Sequence, residues 1–177
     1  MSPHDLNTAP GLLLTAAAAA SSQQPPEAAK PKPVVIPPMV DEKYGTPAQI
    51  MALPKEKLIA ILKEPDASVY AKAKACQRLA VVGDKRAVPA LAALLPDQRL
   101  SHYARFALEP NPDPLADDAL RAALGKLKGK LLVGVINSIA HRKDVRALSA
   151  LAELRRDEDR EVAQAADAAM ARIRPAQ

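Results

Sequence analysis

Aromatic side chains are nearly missing from this 177-residue chain, which has no tryptophan, one phenylalanine and three tyrosines. Strands draw on aromatic and β-branched residues, so an all-β fold is not expected; a core of Ala, Leu, Val and Ile suits closely approaching helices. Cysteine occurs once, at Cys76, and no C-x-x-C is present. An internal disulfide, a cysteine-based zinc site and covalent c-type haem are thereby excluded. No uninterrupted apolar run reaches the roughly 20 residues that a membrane-spanning helix needs.

What the chain does contain is unevenly distributed. Ten of its 17 prolines fall within residues 1–54. The stretch PPEAAKPKPVVIPP at residues 25–38 loses so many amide donors, and biases so many pre-proline residues to extended geometry, that it reads as a semi-rigid linker. Ahead of it, GLLLTAAAAA at residues 11–20 is followed by Ser21 and Ser22, the pattern of a secretory h-region and cleavage site, although residues 1–10 hold no Lys or Arg. The expected organisation is a leader at 1–22, a Pro-rich linker at 23–46 and a helical domain at 47–177. Export to the periplasm or cell envelope is the favoured location, with the cytoplasm as the alternative.

From Lys55 onward the apolar spacing is helical. Leu58, Ile59, Ile61 and Leu62 form an amphipathic segment ended by Pro65; Asp66 or Ser68 then caps a helix carrying Val69, Ala73, Cys76 and Ala80. Gly83 and Asp84 make a turn into a third helix with Val88, Leu91, Leu94 and Leu95, and a fourth runs over 98–108. Asp113 as cap with Pro114 behind it starts a fifth, the chain turns near Gly129 into a sixth, and Lys143 and Asp144 mark a turn before a seventh and an eighth. These eight helices make four pairs beginning near Leu58, Val88, Leu115 and Ala147, a period of roughly 30 residues that predicts an all-α fold, an α-solenoid of stacked pairs. Internal similarity agrees: IAILKEPDASVYA (59–71) and LAALLPDQRLSHYA (91–104) share an apolar helix, a Pro-Asp turn and then Tyr-Ala. Residues Val34, Val35, Ile36, Ile50 and Met51 are expected to fold over the apolar end formed by Leu58, Ile59 and Ile61.

The segment VYAKAKACQRLAVVGDKRAVPALAALLPD (69–97) resembles a HEAT-repeat boundary, and specifically the bacterial HEAT-like repeats related to those of phycobiliprotein lyases. Its marks are Gly83-Asp84, Ala87-Val88-Pro89-Ala90-Leu91 and Leu94-Leu95-Pro96-Asp97. A second block, LSHYARFALEPNPDPLADDALRAALGKLKGKLLVGVINSIA (100–140), resembles a segment of exported bacterial HEAT-repeat proteins without assigned chemistry. The resemblance implies an armadillo-like stack of helix pairs whose concave face, lined by the second helices, holds a protein or another polymer. The family's usual Val-Arg early in the second helix reads Val69-Tyr70, His102-Tyr103 and Val162-Ala163 here, leaving Lys72 or Arg105 as the expected partners of the turn aspartates.

Other constellations are weaker. Cys76 lies on an apolar stripe and reads as a small buried hydrophobe. His102 and His141 lie too far apart along the helices for one metal. Ser138, His141 and Asp144 straddle a helix end without an oxyanion hole. Residues 125–130 (GKLKGK) are one residue short of a phosphate loop and lack the following Ser or Thr. Asp113, Asp117 and Asp118 suit helix capping.

The expected function is therefore a non-catalytic scaffold with no cofactor and no metal, binding a protein through a groove lined by His102, Tyr103, Arg105, Phe106, Ile136, Asn137 and His141. Residues 55–177 carry 22 basic against 16 acidic side chains. The cluster Lys126, Lys128, Lys130, Arg142, Lys143 and Arg146 supports an alternative, sequence-independent nucleic-acid binding. A lyase-like, chromophore-handling role is a third alternative, for which no residue motif can be matched.

Overall fold

The computed structural model describes residues 40–173. The chain runs through α1 (Pro47–Met51), α2 (Lys55–Lys63), α3 (Val69–Val82), α4 (Val88–Ala92), α5 (Ser101–Leu108), α6 (Pro114–Leu124), α7 (Gly129–Arg142), a 3₁₀ turn (Val145–Ala147), α8 (Leu148–Leu154) and α9 (Arg160–Ile173). Among the described residues there is no strand, only an isolated bridge between Asp41 and Gly45. No helix among them is long and apolar enough to cross a membrane. The expected leader and most of the expected linker lie outside the described residues.

Local chemistry sets the helix starts. Ser68 Oγ accepts from the Ala71 amide at the head of α3, and Asp113 accepts from the Leu115 amide with Pro114 as the first residue of α6. Each satisfies an amide that has no partner inside its helix. Gly83 closes α3 by donating its N–H to the Leu79 carbonyl, and a Cβ there would lie 2.3 Å from that oxygen, which only glycine avoids. The turn after α7 uses Lys143 in the left-handed region, with φ of 54°.

Packing alternates along the sequence. Each helix of the set α2, α4, α6 and α8 lies against its successor, while α3 packs on α5, α5 on α7 and α7 on α9; α2 meets α4, and α4 meets α6. The result is a row of first helices (α2, α4, α6) beside a row of second helices (α3, α5, α7, α9). Alanines explain the close approach of the second helices: Ala71 and Ala75 on α3 and Ala104 and Ala107 on α5 are all fully buried. Leu58, Leu79, Leu91, Leu108, Leu120, Ile136, Ile139 and Leu151 carry one apolar core through the described body. Each such burial stabilises by about 1.5–3 kcal/mol before conformational entropy is counted.

Three features differ from the sequence-based expectation. The linker, expected to run to residue 46, gives way earlier to ordered chain: Asp41 accepts from the amides of Lys43 and Tyr44 and from Ser68 Oγ, and Tyr44 donates its hydroxyl proton to Glu64. A short helix not foreseen, α1, follows. Thr46 and Gln49 cap it reciprocally, and Ile50 enters the core that holds Leu58, Ile59 and Ile61. Of the residues expected to cover that end, Ile50 is buried, Met51 stays exposed, and Val34, Val35 and Ile36 lie outside the described residues.

The third difference concerns the turn aspartates, which recruit cations from the first helices. Lys55 at the start of α2 reaches Asp84 at 2.6 Å, and Arg121 on α6 reaches Asp144. Neither Lys72 nor Arg105 fills that role.

Candidate binding cleft on the second helices

Charge is segregated between the two helix rows. The sequences of α3, α5 and α7 contain no Asp or Glu, whereas α2 carries Glu56 and α6 carries Asp117 and Asp118. The carboxylates beside the first helices are occupied: Asp84 by Lys55 and Arg86, Asp117 by Arg142, and Asp118 by Arg121 and Arg146. The Lys55 ammonium, hydrogen-bonded to Asp84, holds that carboxyl down to about 2.

On the second-helix row, an open cleft of about 540 Å³ lies between α3 and α5. Its lining includes Tyr70, Ala73, Lys74 and Gln77 from α3, Arg99 from the turn before α5, and Tyr103 from α5. Ala73 leaves the floor low between larger neighbours. Lys74 donates to Gln77 Oε1 at 3.1 Å and sits 5.7 Å from the centre of the Tyr70 ring. Tyr103 meets His102 edge to face, with centroids 5.6 Å apart. Among the described residues no carboxylate lines the cleft. The closest in sequence to Arg99, Asp97, uses Oδ1 on the amides of Arg99 and Leu100. Two aromatic faces with polar tips and two cations thus border one concavity, a combination suited to a mixed apolar and anionic ligand.

The residues expected to line a groove divide into four groups. Tyr103 lines the cleft, and His102, Phe106, Asn137 and His141 are exposed on the second helices. Arg105 is half-buried and turned toward α7, where Nη1 donates to the Gly134 carbonyl at 3.2 Å and to Ser138 Oγ at 3.3 Å. Burial pushes the Arg105 pKa down, and the Glu109 charge partly offsets this. A Cβ at position 134 would meet Arg105 Cζ at 2.8 Å, so the glycine makes room for the guanidinium. Ile136 is fully buried and belongs to the core, which removes it from any groove. Successive helical residues point about 100° apart, so Ile136 and Asn137 cannot both face a ligand on the same side of α7.

The expected basic cluster is also reduced. Arg142 has only a tenth of its side chain exposed. Its Nη1 donates to the carbonyls of Leu108, Glu109 and Asn111 at 2.9, 2.9 and 2.6 Å, and its remaining nitrogens engage Asp117. It closes the C-terminal end of α5, where carbonyls lack helical partners. Arg146 pairs with Asp118, leaving Lys126, Lys128, Lys130 and Lys143 exposed.

The remaining candidates have structural roles. Cys76 is fully buried, and desolvation pushes its thiol up to about 12, which leaves it protonated and inert. Ser138 donates to Glu109 at 2.7 Å, Asp144 is held by Arg121, and His141 is exposed, so no Ser–His–Asp relay forms. Among the described residues no group of His, Cys, Asp and Glu is placed to hold a metal ion.

Sequence reasoning missed Tyr70, Lys74, Gln77 and Arg99. The signal was present in the repeated Tyr-Ala of 59–71 and 91–104: equivalent positions in successive pairs lie side by side when pairs stack, which brings Tyr70 and Tyr103 to one cleft. In comparisons with family models, curated proteins and solved structures, nothing matches this chain.

Proposed function

We propose that the protein is a non-catalytic scaffold of HEAT-like helix pairs that binds a partner protein through its second helices, at the cleft between α3 and α5. The observation that carries this reading is the convergence of Tyr70, Tyr103, Lys74 and Arg99 on one open concavity. Tyrosine and arginine at a surface supply large contact area and directional hydrogen bonds at modest entropic cost, which is why they are enriched among protein recognition residues; here Tyr70 and Tyr103 are half-buried and Arg99 is exposed. The alternating contacts of first and second helices support the stacked-pair arrangement. The burial of Cys76 and the internal bonding of Ser138 and Asp144 support a role without bond-making. An exported location rests on the apolar stretch at 11–20, and amino-terminal sequencing of the mature protein after fractionation tests it.

Site-specific photo-crosslinking tests the docking site. With a photoreactive phenylalanine analogue at position 103, a discrete protein adduct is expected from cells. The same analogue at Ala122, exposed on α6, is expected to give none. Equal adducts from both positions, or an adduct from 122 alone, contradict the reading.

A further inference from the structure

We infer that the cleft between α3 and α5 recognises an acidic protein segment, which sets carboxylates against Lys74 and Arg99 and an apolar or aromatic side chain against Tyr70 and Tyr103. This rests on the docking reading above and adds the chemistry of the partner.

Charge complementarity carries the inference. Within α3 the cations Lys72, Lys74 and Arg78 occur without an acidic residue, and α5 and α7 are equally free of carboxylates. Several cations of the first-helix side, of the turns and of the end of α7 are instead neutralised at short range: Lys55 and Arg86 by Asp84, Arg121 by Asp144, Arg142 by Asp117, Arg155 by Asp167. Lys74 and Arg99 differ from these in having no carboxylate partner among the described residues, and they differ from Lys126, which borders an apolar hollow of the first helices, in sharing one concavity with two tyrosines. Gln77 and the Tyr70 ring restrain Lys74, so less side-chain freedom is lost when an anion arrives. Lys74 and Arg99 favour carboxylates on their side of the cleft, whereas Asp41, Glu42 and Asp66 line the adjoining hollow that shares Ser68 and Tyr70, so the anionic groups of a bound segment belong at Lys74 and Arg99.

Single-stranded nucleic acid is disfavoured by the same layout. It requires a cationic track that continues along the strand. Here Arg105 and Arg142 turn inward to carbonyl oxygens, and the last second helix, α9, carries Glu161 and Asp167.

Fluorescence anisotropy with the full 177-residue chain tests this, using a fluorescein-labelled random copolymer of glutamate and tyrosine as probe at about 0.1 M salt, where long-range attraction is damped. Saturable binding is expected, weakened at least about tenfold by Lys74→Gln with Arg99→Gln, equivalent to about 1.4 kcal/mol. Lys126→Gln with Lys128→Gln removes the same charge outside the cleft and is expected to change affinity by less than about twofold. The inference is overturned if both double variants weaken binding equally, if the copolymer does not bind, or if an oligo-deoxythymidylate binds more tightly than the copolymer. An adduct from position 103 together with no copolymer binding would leave the docking site standing and remove its acidic specificity. Copolymer binding as expected without any protein adduct would remove the protein partner.

Discussion

The two helix rows are built from similar apolar residues and differ in what they do with charge. On the first-helix side, Asp84, Asp118 and Asp144 meet Lys55, Arg86, Arg121 and Arg146 from the same body, so electrostatics there join one helix pair to the next. On the second-helix side, α3, α5 and α7 carry no carboxylate, and Lys74 and Arg99 border one cleft with Tyr70 and Tyr103 while Arg105 and Arg142 turn inward to carbonyl oxygens. An array whose charges all neutralise one another has nothing left for a partner. One whose charges all remain free lacks the ties that fix its turns. Among the described residues, most of the ion pairs between helices lie on the first-helix side, with Arg142 of α7 as a second-helix exception through Asp117.

The comparison is sharpened first by two residues of the second helices that lie close in role but not in environment. Ile136→Ala is expected to lower stability by about 2–5 kcal/mol in urea unfolding, because it empties a fully buried site. Phe106→Ala, at a position 49% exposed, is expected to stay within about 0.5 kcal/mol of the parent. Equal losses would place Phe106 in the core and abolish the presented face.

Arg142→Met removes the donor shared by three carbonyls at the end of α5 and uncovers Asp117, with an expected loss of about 2–3 kcal/mol on the same measurement. A loss below about 0.5 kcal/mol would return Arg142 to the set of free surface charges.

The first-helix row also has an acid signature. The Asp84 carboxyl is held below its ordinary value by Lys55, so its contribution to stability is present above about pH 4 and is lost as pH falls toward 2. Lys55→Gln removes that contribution. The variant's melting temperature is therefore expected to lie below the parent's at neutral pH, with the gap closing through the pH 4 to 2 window. A gap that stays constant down to pH 2 would detach Asp84 from Lys55. The smallest effect is expected at the cleft: Lys74→Gln with Arg99→Gln changes unfolding free energy by no more than about 0.5 kcal/mol, because neither cation has a carboxylate partner among the described residues.

The sequence pattern carries the helices well and the side-chain destinations poorly. Ser68 and the Asp113-Pro114 pair announce the starts of α3 and α6 because capping is local chemistry. The start of α5 at Ser101 instead of Gln98 reflects a turn in which Asp97 binds the amides of Arg99 and Leu100, a contest between side chain and helix that periodicity cannot register. Helix α1 escapes notice because it is five residues long and contributes one buried side chain, Ile50. The partners of Asp84 and Asp144 are hidden for a different reason. Long cationic side chains reach across helix pairs, so Lys55 and Arg121 are picked out by the offset between neighbouring helices and not by their place in a repeat. The cleft was half legible: Tyr103 stands out from the repeat comparison, and Tyr70 follows once the repeats are laid side by side, whereas Lys74 and Arg99 acquire meaning only when the absence of carboxylates on α3 and α5 is seen in three dimensions.

Amide hydrogen exchange on the full chain, with and without the glutamate–tyrosine copolymer, tests most directly which helix row binds the copolymer. The account predicts that added protection concentrates in α3 and α5, around Tyr70 to Gln77 and Arg99 to Tyr103, and leaves α6 at its free-state rate. Protection centred on α6 and its neighbour α4, or spread evenly over both rows, would contradict it.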